Sequence, residues 1–125
     1  MPCDVILHTE PRFVELVFTG SVSHSEMEPA AIQALEGCDR MQTSRLMCDC
    51  TQLSGGHSVS DLYELAGRLS ASPLAATVRE AVLLPSLPAM QADAQFWRAT
   101  ASNRGAQVQV FADRQAAMDW LLLQA

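Results

Sequence analysis

Residues 47 to 62, with the sequence MCDCTQLSGGHSVSDL, carry several of the side chains that most often take part in chemistry. Two cysteines stand one residue apart at Cys48 and Cys50, and His57 follows a pair of glycines. Such a group could hold a metal ion, supply a nucleophilic thiol, or accept a phosphate on one of its serines. The spacing and the surrounding elements decide among these uses.

A metal site would need more ligands than this segment offers. Residues i and i+2 of a strand point to the same face, so Cys48 and Cys50 would lie side by side. A closed zinc site uses four ligands, and His57 would be only the third. Unpaired cysteine is among the residues most often buried as a small apolar group. We therefore expect both thiols to fill space, with no metal and no cofactor.

A thiol enzyme would need a cysteine whose pKa is lowered by a helix N-terminus or a cation, with a base in hydrogen-bonding reach. Cys50 is the candidate, because it ends a predicted strand ahead of the loop that holds His57. Cysteines within helix-covered strands are usually inert. We expect no enzymatic activity and assign no catalytic residue.

The serines of the segment fit the start of a helix. Ser58 to Asp61 have the serine-x-x-acid form of a capping box, and Gly55-Gly56 permit the preceding turn. A phosphate on Ser58 or Ser60 would meet free N–H groups at the positive helix end. The residues that would form a regulatory or partner-binding surface are Thr51, Ser54, His57, Ser58 and Ser60.

Composition and charge narrow the classes of function. The chain has 125 residues, 49% hydrophobic and 18% charged, and we interpret residues 1 to 125 as one ordered globular domain. The net charge is −6 and the basic residues are arginines without a basic block, so we expect no nucleic-acid partner. The apolar runs fall far short of the roughly 20 residues of a membrane helix. We therefore expect no membrane span. The start of the chain does not resemble a signal sequence, so we also expect a cytoplasmic location.

The first half of the chain predicts a hairpin, a helix and a buried strand. Alternating residues near the start indicate two antiparallel strands. A helix then begins at Ser25 or Glu26, which places Pro29 in its first turn, and Gly37 is its terminator. Arg45 to Cys50 follow as a short, mostly apolar strand.

The second half predicts alternating helices and strands. A helix capped by Ser58 is closed by Pro73, a strand spans Val78 to Leu84, and a third helix follows. Gln107 to Phe111 form the last strand, and Asp113 caps the last helix. The predicted fold is α/β, with a single-layer, mixed but largely parallel five-stranded sheet, an N-terminal antiparallel hairpin and about four helices.

The last strand and helix, VQVFADRQAAMDWL, combine a valine-rich strand ending at Phe111 with the pair Trp120-Leu121. The pair Phe96-Trp97 and Asp49, at the predicted end of the third strand, accompany them. Together they resemble the SpoIIAA-like proteins, a bacterial family related in fold to STAS domains and to lipid-carrying CRAL-TRIO domains. The resemblance implies a SpoIIAA/STAS-like domain without known catalytic residues.

The resemblance also implies a site of phosphorylation in part of the family. Antagonists of the SpoIIAA type carry a phosphorylatable serine in an aspartate-serine-serine-glycine motif at the start of the helix after the third strand. Ser58 and Ser60 occupy that region here, downstream of Asp49, but the motif itself is absent. The sequence favours Ser58 as a helix cap.

Two functions stay open. The first is a non-enzymatic regulatory module whose surface from Thr51 to Leu62 contacts an unidentified protein partner, since α/β folds place their sites at the carboxyl edge of the sheet. The second is a carrier or sensor of an apolar or lipid-like molecule, indicated by abundant Leu, Met and Ala and by the apolar face of residues 113 to 124. Its ligand groove would include Leu62, Met90 and Trp97. We also expect a homodimer, because the hairpin leaves a sheet edge.

Overall fold

A computed structural model of the protein describes residues 2 to 123. Their strands form one sheet in the order β1-β2-β3-β4-β5. The strands are β1 (Cys3–Thr9), β2 (Arg12–Ser21), β3 (Arg45–Gly55), β4 (Arg79–Leu83) and β5 (Gln107–Phe111). β1 runs antiparallel to β2, and the other neighbours are parallel. The mixed, largely parallel sheet with an N-terminal hairpin confirms the prediction from the sequence.

Helices cover both faces of the sheet. They are α1 (His24–Met41), α2 (Val59–Ser70), α3 (Pro88–Asn103) and α4 (Arg114–Leu121), with a 3-10 turn at Ala75–Thr77. The larger core cluster joins α1, α2 and α3 to one face, and α4 packs on the other face through Ala117 and Leu121. Gln124, which the predicted last helix included, lies outside the described residues. Within residues 2 to 123, none of the helices has the length and hydropathy to cross a membrane.

The bounds of α1 correct two predictions. The helix begins at His24, so Pro29 lies in its second turn and removes one of the hydrogen bonds of the helix interior. Gly37 does not end the helix, which continues to Met41. A Cβ at Gly37 would lie 3.0 Å from Cδ2 of Leu7, so this glycine permits close packing of α1 on the hairpin. Gln42, the C-cap residue after Met41, has a left-handed φ of 54° and terminates the helix.

β3 is longer than the predicted strand from Arg45 to Cys50, and it ends at Gly55. Asp49 therefore lies in the middle of the strand and not at its end. The extension pairs with β2, where Gly20 faces Leu53, and this pairing outweighs the weak strand propensity of its polar residues. Since the pairing of β3 with β4 stops at Asp49 and Leu83, the last residues of β3 project beyond β4.

A buried ion pair joins α4 to the sheet. Glu15 of β2 is 5% exposed, and Nη1 and Nη2 of Arg114 each donate a hydrogen bond of 2.9 Å to its carboxylate. Nε2 of His8 lies 2.9 Å from Oε1 of Glu15, and the His8 ring stacks on Phe13 at 4.2 Å. The hydrogen bonds from Arg114 hold the pKa of Glu15 below its usual value, although burial opposes the shift. These contacts fix the position of α4 across the sheet.

Candidate functional site

A cavity of about 280 Å³ lies between the sheet and helices α2 and α3. Its apolar lining includes Leu16, Leu46, Val82, Leu65, Ala94 and Ala101. Protein interiors seldom leave voids larger than a water molecule, because side chains interdigitate at crystal-like density. Here small side chains on the inner face of α3, at Ala94 and Ala101, leave space that the opposite strands do not fill.

The three residues predicted as a ligand groove all line this cavity. Leu62 is buried, while Met90 and Trp97 are partly buried. Met90, Ala94, Trp97 and Ala101 recur at helical spacing, so they share the face of α3 that meets the sheet. The structure therefore brings the groove residues together at one place.

His57 also lines the cavity, although the sequence analysis placed it in a surface set. Its side chain is only 1% exposed. The turn at Gly55 and Gly56, with φ of +140° and +94°, directs the chain from β3 into α2. A Cβ at Gly56 would lie 2.6 Å from the backbone N of Val22, so only glycine lets the turn approach β2 this closely. The tight turn carries His57 inward, which corrects the prediction of a surface residue.

The two ring nitrogens of His57 have different surroundings. Oδ2 of Asp93, on α3, lies 3.5 Å from Nε2 of His57. Nδ1 is buried and finds no hydrogen-bond partner in the part of the chain that the structure describes. Asp93 lines the cavity as well, which places an imidazole and a carboxylate at its wall.

Glu80 is a second carboxyl group in the cavity wall, and sequence reasoning missed it. Ala81 and Leu83 of β4 face α4, so Glu80 and Val82 point to the opposite side and line the cavity. Nε1 of Trp97 donates to Oε1 of Glu80 at 3.3 Å. Burial raises the pKa of Glu80 to about 7, and the bond from Trp97 opposes the shift. In the sequence, Glu80 stands two residues before Val82 in an apolar strand, so its side chain points to the same, inward side of the sheet. This alternation was the signal that could have revealed it.

The two neighbouring thiols line the same cavity. Sγ of Cys48 lies 3.7 Å from Sγ of Cys50, and both residues are buried. The hydrogen bond with Cys50, together with burial, raises the pKa of Cys48 well above its usual value, which keeps the thiol protonated. Residues 2 to 123 contain no group of three or more His, Cys, Asp or Glu side chains arranged to hold a metal ion.

Comparison with known proteins finds likeness in fold. No protein-family model matches the sequence, and no curated protein is detectably similar to it. A crystal structure of an uncharacterized DUF3478-family protein with a SpoIIAA-like fold, from Shewanella loihica PV-4, has a TM-score of 0.59 at 15% identity, covering 95% of this chain and 91% of that one. The anti-sigma factor antagonist SpoIIAA in its unphosphorylated form has a TM-score of 0.58 at 19% identity, covering 94% and 96%. This protein has a SpoIIAA-like fold.

Within the SpoIIAA-like fold, the predicted regulatory residues do not form one surface. Ser54, Ser58 and Ser60 are exposed, whereas the side chain of His57 is buried beside the cavity. The hydroxyl of Thr51 donates a 2.6 Å hydrogen bond to Asp49. The exposed part of the predicted set is thus limited to the three serines beside the start of α2.

Ser58 caps α2, and the cap gives a testable stability effect. Its Oγ accepts a hydrogen bond from the N–H of Asp61 at 3.1 Å, and its own N–H donates to Oδ2 of Asp61 at 2.9 Å. We expect Ser58→Ala to lower the free energy of unfolding by about 1 kcal/mol, and Ser58→Asp to leave it close to wild type. Urea denaturation measures both changes. An equal loss in the control variant Ser60→Ala would contradict the capping role.

Proposed function

We propose that this protein binds a small apolar ligand in the cavity between the sheet and helices α2 and α3, as a carrier or sensor. The observation that carries the proposal is the cavity itself, about 280 Å³ in volume and mainly apolar in its lining. Ligand sites are concave, mostly apolar and equipped with a few polar groups. His57 and Glu80 supply such groups here.

The volume limits the size of the ligand. An engineered apolar cavity of roughly 150 Å³ binds benzene, so a cavity of about twice that volume suits a molecule of about ten non-hydrogen atoms. A long membrane acyl chain is larger than this. The proposal is therefore a medium-chain or small aromatic ligand, a narrower class than the lipid-like molecules considered from the sequence.

Filling the cavity is expected to stabilise the fold and to prevent binding. Ala94 lines the cavity, and Ala94→Leu would place a larger apolar side chain in that space. We expect the free energy of unfolding to rise by about 1 kcal/mol, from the apolar area removed from water. Urea denaturation measures this rise, and calorimetric titration with 1-octanol measures the loss of binding.

Ala117→Leu is the matched control on the other face of the sheet. Ala117 is fully buried in the closely packed cluster under α4, where a larger side chain is expected to cost about 1 kcal/mol or more. A similar loss of stability in both variants would contradict an open cavity. Native mass spectrometry of protein purified without detergent tests the function directly. No bound mass, together with no binding of 1-octanol, would contradict the proposed function.

A second candidate function is a non-enzymatic regulatory module that contacts a protein partner. It is supported by the likeness in fold to an anti-sigma factor antagonist and by the exposed Ser54, Ser58 and Ser60 beside the start of α2. A photo-crosslinking amino acid at position 60 should capture a specific protein in cells. The same amino acid at the exposed position 36 of α1 is the control. Equal capture from both positions would argue against this surface.

We also propose that the chain self-associates as a homodimer. β1 stands at one edge of the sheet, and Ile6 and Leu7 are 42% and 41% exposed. Unpaired edges of this kind favour pairing with another strand. Sedimentation velocity across a range of concentrations measures whether a homodimer forms, and a monomer throughout would contradict it.

A further inference from the structure

We propose that the cavity selects small apolar amines, and that the carboxylate of Glu80 binds their ammonium group. This inference rests on the proposed ligand-binding function and specifies the chemistry of the ligand. It joins two observations, the apolar cavity and a carboxyl group in its wall that has accessible surface there and no charged partner among residues 2 to 123.

The carboxyl group of Glu80 is accessible from the cavity. Glu80 lies on β4, between β3 and β5, yet it is partly exposed, and the space that it lines is the cavity. Oε1 accepts the hydrogen bond from Trp97, whereas Oε2 has no partner in the part of the chain that the structure describes. The inaccessible side-chain atoms without a partner are Nδ1 of His24 and Nδ1 of His57, and Oε2 of Glu80 is not one of them. Oε2 therefore retains accessible surface that a bound molecule can contact.

Among the described residues, no cation offsets the charge of Glu80. Arg79, the preceding residue, points to the other face of the sheet and donates to two carbonyl oxygens near the end of α4. Arg104 lines the cavity, but it lies roughly 10 Å beyond Trp97 along α3. Its guanidinium is over the ring of Tyr63 at 5.1 Å. The ionised form of Glu80 thus lacks a counter-ion.

The other titratable side chains of the lining disfavour an anionic ligand. Asp93 on α3 is a second carboxylate, with His57 at 3.5 Å. From β3, Cys48 and Cys50 line the cavity, and the raised pKa of Cys48 keeps that thiol uncharged. The lining residues of α1, α2, β2 and β5 are uncharged. A carboxylate ligand would therefore meet two carboxyl groups, whereas an ammonium group would be attracted by both.

A bound cation offsets the cost of ionising Glu80. Burial among apolar side chains raises its pKa to about 7, so the carboxylate forms near neutral pH without a partner. A bound ammonium ion supplies the opposite charge and a charge-assisted hydrogen bond. The ammonium group loses hydration on entry, but the carboxylate has already lost much of its own. The ligand class is therefore a primary amine of about ten non-hydrogen atoms with an apolar tail.

Two probes of the same size test the charge. 1-Octylammonium and 1-octanol differ at the head group, and neither changes its charge between pH 6 and pH 8. At pH 8, calorimetric titration of the wild type should show about tenfold tighter binding of the ammonium ion, the effect of one charge-assisted hydrogen bond. At pH 6 most of Glu80 is protonated, so the preference should fall below about threefold. Binding of 1-octanol should change little, because a hydroxyl group pairs with either form of the carboxyl group.

Glu80→Gln removes the carboxylate and keeps an acceptor for the hydrogen bond from Trp97. In this variant the preference for the ammonium ion at pH 8 should fall below about threefold, while 1-octanol keeps its affinity. Histidine also changes its charge near neutral pH, and His57 lies beside the cavity. A preference that persists in Glu80→Gln and still falls at pH 6 would assign the effect to His57 and Asp93, and would overturn the inference.

Glu36→Gln is the matched control. Glu36 is exposed on α1 and absent from the cavity lining, and its replacement changes the net charge of −6 by the same amount. This variant should keep the preference for the ammonium ion and its pH dependence. A loss equal to that in Glu80→Gln would mean that the ammonium ion responds to the net charge of the protein, and would overturn the inference.

The outcomes separate this inference from the proposed function. Equal binding of 1-octylammonium and 1-octanol to the wild type at pH 8 would overturn the inference and leave ligand binding intact. Tighter binding of octanoate than of 1-octylammonium would do the same. Failure of all three probes to bind would overturn the proposed function as well.

Discussion

Glu80→Gln is expected to raise the free energy of unfolding by roughly 3 kcal/mol at pH 8 and by little at pH 4. Glu80 lines the cavity, and burial raises its pKa from 4.5 to about 7 in the folded protein. At about 1.4 kcal/mol for each pH unit between these two values, ionised Glu80 lowers the stability of the fold by roughly 3 kcal/mol. The amide of glutamine is uncharged at every pH and can still accept the hydrogen bond from Trp97.

The direction of the pH dependence follows from proton binding. Between pH 4.5 and about 7 the folded protein holds a proton on Glu80 that the unfolded chain has released. The stability of the wild type therefore falls as pH rises through this window, and the effect is complete above pH 7. The difference between Glu80→Gln and the wild type should grow over the same window and then become constant.

Urea denaturation at intervals from pH 4 to pH 8.5 measures this difference. Glu36→Gln is the control, since it removes one negative charge from an exposed position on α1. A difference between Glu80→Gln and the wild type that stays constant across the whole range would contradict the raised pKa of this cavity-lining carboxyl group.

The elements that the sequence predicted well are those defined by local signals. The strand Gln107–Phe111 and the cap at Ser58 agree with the structure, because alternation and capping chemistry act within a few residues. The extension of β3 and the position of Gly37 depend on contacts with β2 and the hairpin, which are distant in sequence. Local patterns carry no signal for such contacts.

The candidate site was predicted only in part, for a related reason. Apolar residues at helical spacing identified Leu62, Met90 and Trp97, which line the cavity. The empty space itself could not be predicted from the sequence. Ala94 is typical of a closely packed core, and only the distance from α3 to the sheet shows that space remains beside it. His57 was recognised as a reactive side chain, but its inward direction follows from the contact of Gly56 with Val22.

The second large effect is expected at the ion pair on the opposite face. Arg114→Met should lower the free energy of unfolding by roughly 2–3 kcal/mol at pH 7, because it leaves the carboxylate of Glu15 buried without its main partner. This value is reduced from that of a fully buried pair, since the side chain of Arg114 is 49% exposed. The remaining partner of Glu15 is His8.

The pH dependence of this second effect has the opposite sign to that of Glu80. The pKa of Glu15 is lowered from 4.5, so the pair stabilises the fold above pH 4.5 and this stabilisation is lost as pH falls through the lowered pKa. The deficit of Arg114→Met should thus shrink in acid, as urea denaturation at several pH values would show. Arg40→Met, at an exposed arginine of α1, is the control, and the double variant Glu15→Gln/Arg114→Met should regain part of the loss. A deficit in Arg114→Met no larger than that in Arg40→Met would contradict the structural role of the pair, because a carboxylate buried at 5% exposure cannot lose its main partner without cost.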